Sequence, residues 1–142
     1  MKKKAVKKVR AVIYDIKDNQ PQFLIFHRIL RWKGWEILKE TIEKGETLRQ
    51  ALIRGIKEET GIKHFKIIKK LNKQDKWRAN EINYYIVDTF LVRADMNDKI
   101  SLKQEVIEHD GYKWVDKKTA LKRLTWPTPQ KLLKEIDNKL LI

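Results

Sequence analysis

Three glutamates and an arginine form the clearest chemical pattern in the chain. Glu58 and Glu59 are adjacent, Arg54 precedes Glu58 by four residues, and Glu46 lies further upstream. On an α-helix, positions 55, 58 and 59 are related as i, i+3 and i+4 and share one face. Two carboxylates on such a face either sit in water as a charged surface or converge with other oxygens on a cation. Position 55, on the same face, is glycine. A mid-helix glycine costs about 1 kcal/mol relative to alanine, so the helix is weakened there. Glu40, Glu43 and Glu108 are further carboxylates, each readable as a plain loop charge. Arg54 can pair with Glu58 or Glu46.

Cations and aromatic rings surround this pattern. His27, Arg28, Arg31, Lys33 and Lys39 precede it, and Arg28 and Lys39 are the candidates for holding phosphate oxygens. Trp32, Trp77, Tyr84, Tyr85 and Tyr112 offer faces on which a base could stack. Tyr84 and Tyr85 point to opposite sides of a strand, so at most one faces a ligand; Tyr84 and Tyr112 are taken as the substrate-binding candidates. His64 and His109 are not at metal-ligand spacing.

These residues need elements to position them. Leu48, Leu52 and Ile56 repeat every four residues, opened by Glu46 or Thr47 and closed by Gly61, and predict a helix. Val6 to Ile16 and Gln22 to Ile29 read as a hairpin across Asp18-Asn19-Gln20-Pro21. Trp35 to Leu38 adds a short strand, and residues 39–46 read as a structured loop. Phe65 to Leu71 and Ile82 to Arg93 read as strands with loop over Asn72 to Asn80 between them. Tyr112 to Val115 is a last short strand. Lys117 to Leu124 reads as a helix, interrupted at Trp126-Pro127-Thr128-Pro129, and Pro129 opens a terminal helix running to about Leu140. The pattern is an α/β sandwich with a mixed sheet.

With 142 residues the chain is in the range of one domain, residues 1–142. The absence of cysteine excludes a disulfide scaffold and any cysteine metal site. No apolar run approaches the ~18 residues of a membrane span, and the expectation is a cytoplasmic protein, monomer or homodimer, with no membrane partner. Thirty-three Lys and Arg against 19 Asp and Glu leave a net charge of +14, which favours an anionic partner without separating a polyphosphate enzyme from an RNA-binding module. The lysine-rich start, residues 1–8, is most simply a solvated end, with phosphate contact as the alternative.

The stretch Glu40 to Ile62 resembles the signature of the Nudix hydrolase family, Gly-x5-Glu-x7-Arg-Glu-U-x-Glu-Glu-x-Gly-U with U apolar. Glu46, Arg54, Ile56, Glu58, Glu59, Gly61 and Ile62 match in register; Glu40 stands at the first glycine and Gly55 at the first glutamate of the Arg-Glu pair. The segment from Glu105 through Glu108, His109, Tyr112 and Trp114 to Ala120 is similar to a stretch of the diadenosine tetraphosphate hydrolases of that family. The resemblance implies an α/β/α sandwich with a central loop-helix-loop motif in which Glu46, Arg54 and Gly61 fix the structure. It implies Mg²⁺ or Mn²⁺ held by Glu58, Glu59 and a compensating Glu40, and catalysis by Glu58, Glu59 and Glu108. The function expected from it is divalent-metal-dependent pyrophosphohydrolysis of a nucleoside polyphosphate, of the dinucleoside tetraphosphate or another nucleoside diphosphate-linked type, with an RNA 5′ end as a further substrate. The alternative is a catalytically impaired nucleotide- or RNA-binding module, and Gly55 is the residue on which the two readings divide.

Overall fold

The computed structural model describes residues 3–141. Strand β1 (Lys4–Lys17) turns at Asp18-Asn19 into β2 (Gln20–Arg28). Both turn residues have positive φ, 52° and 62°, as a two-residue type I′ hairpin requires. Beyond the turn the arms separate. The short strands β3 (Gly34–Glu36) and β4 (Leu38–Thr41) span the opening, β3 pairing with β2 and β4 with β1. Helix α1 (Leu48–Thr60) follows, then the antiparallel pair β5 (Phe65–Arg78) and β6 (Asn83–Ala94). Strand β7 (His109–Val115), helices α2 (Lys117–Arg123) and α3 (Pro127–Glu135) and a closing 3₁₀ turn (Asn138–Leu141) complete the chain. β1 runs parallel to β6 and antiparallel to β2 and β4, so the sheet is mixed.

β1 is apolar on both sides because it has helices on both. Val9, Ala11 and Ile13 face α1 with Leu24, Phe26 and Leu38, closing on Ala51, Leu52 and Ile56. Val12 and Tyr14 face the other way with Phe23, Ile25 and Leu91, under Leu124, Leu132 and Leu133 from the α2 to α3 region. The result is the expected three-layer α/β/α arrangement. Helix α1 begins at the capping box of Thr47 and Gln50 and ends at Gly61, whose φ of 69° is the left-handed cap that glycine favours.

Several boundaries differ from the sequence expectation. Asn72 to Asn80 is not a loop: β5 continues to Arg78, with two register irregularities against β6. Its polar half carries little apolar period because it is an edge strand, where exposed charge prevents pairing with other chains. The expected strand Trp35 to Leu38 is divided between β3 and β4, and β4 takes Lys39 to Thr41 from the expected loop. The lysine-rich start is already strand from Lys4, paired with β6, while residues 1 and 2 lie outside the described residues. The terminal helix starts at Pro127 and stops at Glu135.

Candidate active site

The β3 to β4 stretch carries Glu36, Lys39 and Glu40 on alternating sides of the strands. Val9 pairs with Glu40 and Arg10 with Lys39, so Glu40 faces α1 and Lys39 the opposite layer. At α1 the two departures from the family signature meet. A Cβ built on Gly55 would lie 3.1 Å from Glu40 Cβ and 3.2 Å from Glu40 Cγ. Glu40 therefore occupies the space into which a side chain at position 55 would project, and carries a carboxylate there from the neighbouring strand.

Glu59 is on the same side of the helix and is only 4% exposed. Its Oε2 is buried and without a hydrogen bond. Burial, with the charges of Glu108 and Glu40 beside it, pushes the Glu59 carboxyl up to about 10. Burial also raises Glu40, against the opposing pull of Arg54. A buried carboxyl with an unpartnered oxygen and two acidic neighbours is a poor stability element. Glu59, Glu108 and Glu40 offer oxygen donors alone, which suits hard Mg²⁺ or Mn²⁺ better than zinc.

Arg54 builds the loop. Its Nε and Nη2 donate to Glu46 Oε2 and Oε1 at 2.8 and 2.9 Å, and Nη2 also donates to the Thr41 carbonyl at 2.9 Å. These bonds hold Glu46 down at about 2 and raise Arg54 above its ordinary value. Nη1 lies between Glu40 at 3.4 Å, Glu43 at 3.6 Å and Glu58 at 3.5 Å. Glu58 is 61% exposed on this arginine side.

Arg28 is more enclosed than a free phosphate ligand would be. Its Nη1 donates to Glu36 Oε2 at 3.0 Å and lies 3.9 Å from Glu108 Oε2. His109 Nε2 donates to the same Glu36 oxygen at 2.7 Å. Burial would raise Glu36, but the bonds from His109 and Arg28 outweigh it and hold the carboxyl below its usual range. The Glu108 end of β7 is thus anchored by the next residue, and the backbone carbonyl of Glu108 accepts from Ile29 at 2.9 Å.

On the other side of Glu36 is a cavity of about 310 Å³ lined by Arg10, Lys39, Trp77 and Trp126 among others. Burial and the nearby Lys8 lower Lys39; burial and Arg28 lower Lys8, which also feels Glu40 and Glu108. Lys8, Arg10 and Lys39 therefore form a line of cations from the carboxylates to the cavity. Sequence reasoning did not pick out Arg10 or Trp126, and took in Lys8 only as part of the lysine-rich start, although Lys8 and Arg10 alternate with apolar β1 residues and Trp126 precedes a proline. Of the aromatic candidates, neither Tyr84 nor Tyr112 lines the cavity. Tyr85 does not line it either but packs edge-on against Trp77 at 5.7 Å under Lys8, while Tyr112 stands 40% exposed on β7.

His64, Asp95 and Asp98 form a separate group with ligand atoms within 4.8 Å of one another. Asp98 there accepts the backbone N–H groups of Lys63 and His64, which makes the group a staple of the loop after α1.

A sequence model of the NUDIX domain matches residues 6–136. No curated protein matches the sequence. Among solved structures, an Ap4A hydrolase of C. elegans in a binary complex is 25% identical, with 91% of this chain and 93% of that one covered and a TM-score of 0.77. The E. coli dihydroneopterin triphosphate pyrophosphohydrolase is 19% identical over 92% and 93%, TM-score 0.73. The NUDIX domain of NrtR from Shewanella oneidensis, complexed with ADP ribose, is 15% identical over 93% and 86%, TM-score 0.69.

Proposed function

The chain belongs to the NUDIX domain family, and from that membership and its acidic cluster we propose that it is a divalent-metal-dependent pyrophosphohydrolase of nucleoside polyphosphates. The observation that carries the reading is Glu59: a buried carboxyl with an orphaned oxygen, flanked by Glu108 and by Glu40 in the place of the absent side chain at Gly55. Glu59, Glu108 and Glu40 would hold the cation, with Glu58 at its solvent side. When bound, Mg²⁺ or Mn²⁺ polarises a phosphoryl oxygen and makes water a better nucleophile.

The remaining work belongs to the chain. Lys8 and Lys39 are placed to bind the polyphosphate and to stabilise charge gathering on its oxygens as the anhydride opens. Water adds to phosphorus, the bond to the bridging oxygen breaks, and the departing phosphate leaves with that bond's electron pair. Glu108, 30% exposed, is open to solvent and takes the proton of the attacking water. Arg28 and His109, through Glu36, hold it in position. Arg54 and Glu46 keep the loop closed on the helix.

The Ap4A hydrolase of C. elegans, similar over nearly the whole chain, makes a dinucleoside tetraphosphate the first substrate to try. The test is product analysis of a nucleotide panel with Mg²⁺ or Mn²⁺. Hydrolysis is expected to disappear in EDTA and to fall at least 100-fold in Glu59→Gln, on the scale of losing one charge-stabilising group. Nucleotide binding with no metal-dependent turnover of any polyphosphate would instead mark a binding module.

A further inference from the structure

The cavity beside the carboxylates has two features that a phosphate path does not need. Its walls include Trp77 and Trp126, and Arg10 lies at its inner end, 3% exposed. Trp77 is braced by Tyr85 at 5.7 Å and Trp126 by Trp32 at 5.4 Å, both edge-on. Lys39 Nζ lies over the Trp77 ring, 5.5 Å from its centroid, whereas the edge-on contact with Trp32 takes up at most one face of Trp126 and leaves the other for a flat apolar guest. A volume of about 310 Å³ is at the small end of ligand pockets, and a nucleobase presents the π face such walls favour.

Arg10 indicates which base. Its Nε donates to Thr89 Oγ1 at 3.0 Å and its Nη2 donates to Asp75, while Nη1 makes no hydrogen bond among the described residues. Arg10 lines the cavity, and this nitrogen is a donor available to an acceptor on a guest. Lys39 adds a second cation to the same lining, and Glu36, its one acid, keeps only Oε1 free because Oε2 already accepts from both Arg28 and His109. Charged donors therefore outnumber charged acceptors there. Guanine presents O6 and N7 side by side, the usual target of an arginine fork, whereas adenine puts an amino donor where O6 would be.

We infer that the cavity between Trp77 and Trp126 binds a 6-oxopurine base, guanine or hypoxanthine, and makes the site selective for nucleotides that carry one. This rests on the proposed function for the direction of the phosphates: from the base, the chain of oxygens runs past Lys39 and Lys8 to the carboxylates. The selectivity itself needs no metal and no turnover.

The test is binding of nucleoside monophosphates to the wild-type protein in EDTA, followed by calorimetry and tryptophan quenching. GMP and IMP are expected to bind about tenfold or more tighter than AMP, and 7-deaza-GMP, which lacks the N7 acceptor, to bind more weakly than GMP. Trp126→Ala, at a position 51% exposed and safe for folding, is expected to weaken GMP by about tenfold through lost stacking. AMP binding as tightly as GMP, or GMP indifferent to Trp126→Ala, overturns the inference. A protein that prefers GMP but hydrolyses nothing would retain the base pocket and lose the enzymatic reading. One that hydrolyses adenine and guanine substrates alike, with equal monophosphate affinities, would do the reverse.

Discussion

If Glu40 and Gly55 are two halves of one exchange, then undoing one half should harm the protein and undoing both should not. Gly55→Glu alone puts a Cβ 3.1 Å from Glu40 Cβ and 3.2 Å from Glu40 Cγ, inside ordinary van der Waals contact. Overpacking of this kind costs about 1–3 kcal/mol, offset by at most about 1 kcal/mol from removing a helical glycine. Charge adds to the cost. Two carboxylates about 4 Å apart repel by roughly 4 kcal/mol at an effective dielectric near 20, relieved in part if one takes up a proton, and Glu59 and Glu108 are already close by. Gly55→Glu should therefore lose roughly 2 kcal/mol or more in the absence of metal. Glu40→Gly should cost less than about 1 kcal/mol but lose metal affinity and turnover. The double variant Glu40→Gly with Gly55→Glu has one carboxylate in the shared space again, and should regain both stability and metal binding. The interaction energy from the cycle is expected at about 1–3 kcal/mol. Urea unfolding in EDTA gives the stabilities, and Mn²⁺ calorimetry with nucleotide turnover gives the function. If Gly55→Glu alone raises turnover by orders of magnitude without loss of stability, or if the double variant is no better than the worse single one, Glu40 is not the replacement ligand.

Three further outcomes follow from the same geometry. Glu59 has a folded-state value of about 10, far above an unfolded glutamate, so its contribution is complete below about pH 4.5 and is lost as pH rises toward 10. Metal-free protein should lose up to about 1.4 kcal/mol per pH unit on this account. Unfolding midpoints in EDTA should be lower at pH 8 than at pH 6, with the slope flattened by Glu59→Gln or by saturating Mn²⁺; a higher midpoint at pH 8 would contradict it. Glu46 has the opposite sign: lowered from 4.5 to about 2 by Arg54, it stabilises above pH 4.5 and loses that effect as pH falls to 2. Glu46→Gln should therefore be less stable than the parent at neutral pH and converge with it near pH 2, as circular dichroism during acid titration would record. Leu52→Ala empties a fully buried position under the sheet and should cost 2–5 kcal/mol; a loss below about 1 kcal/mol in urea would mean that α1 is packed less closely than described.

Residues that repeat with a period or sit at a fixed spacing were the ones legible in the sequence. Leu48, Leu52 and Ile56 marked α1, Gly61 marked its end, and Glu46 with Arg54 marked the loop they tie together. The polar half of β5 was not legible, because backbone pairing with β6 holds it in place and its side chains face water. The cavity was hidden for a different reason. Arg10, Lys39, Trp77 and Trp126 come from four separate stretches, and only the meeting of β1, β4, β5 and the start of α3 puts them together. Glu40 was visible as a departure and Gly55 as another, but their contact lies across a strand and a helix. It took the pairing of Glu40 with Val9, on the α1 side of the sheet, to join them.

Strand β1 carries two messages in opposite phase. Val9 and Ala11 are written for the core under α1, while Lys8 and Arg10, between and beside them, are written for the cations of the opposite layer. Because side chains alternate with a period of two, a slip of a single residue would swap the messages, placing lysine and arginine under the helix and valine along the proposed phosphate path. No partly correct alignment exists in which the protein folds well but binds badly. The register that buries Val9 under the helix is also the one that lines up Lys8, Arg10 and Lys39 on the opposite layer.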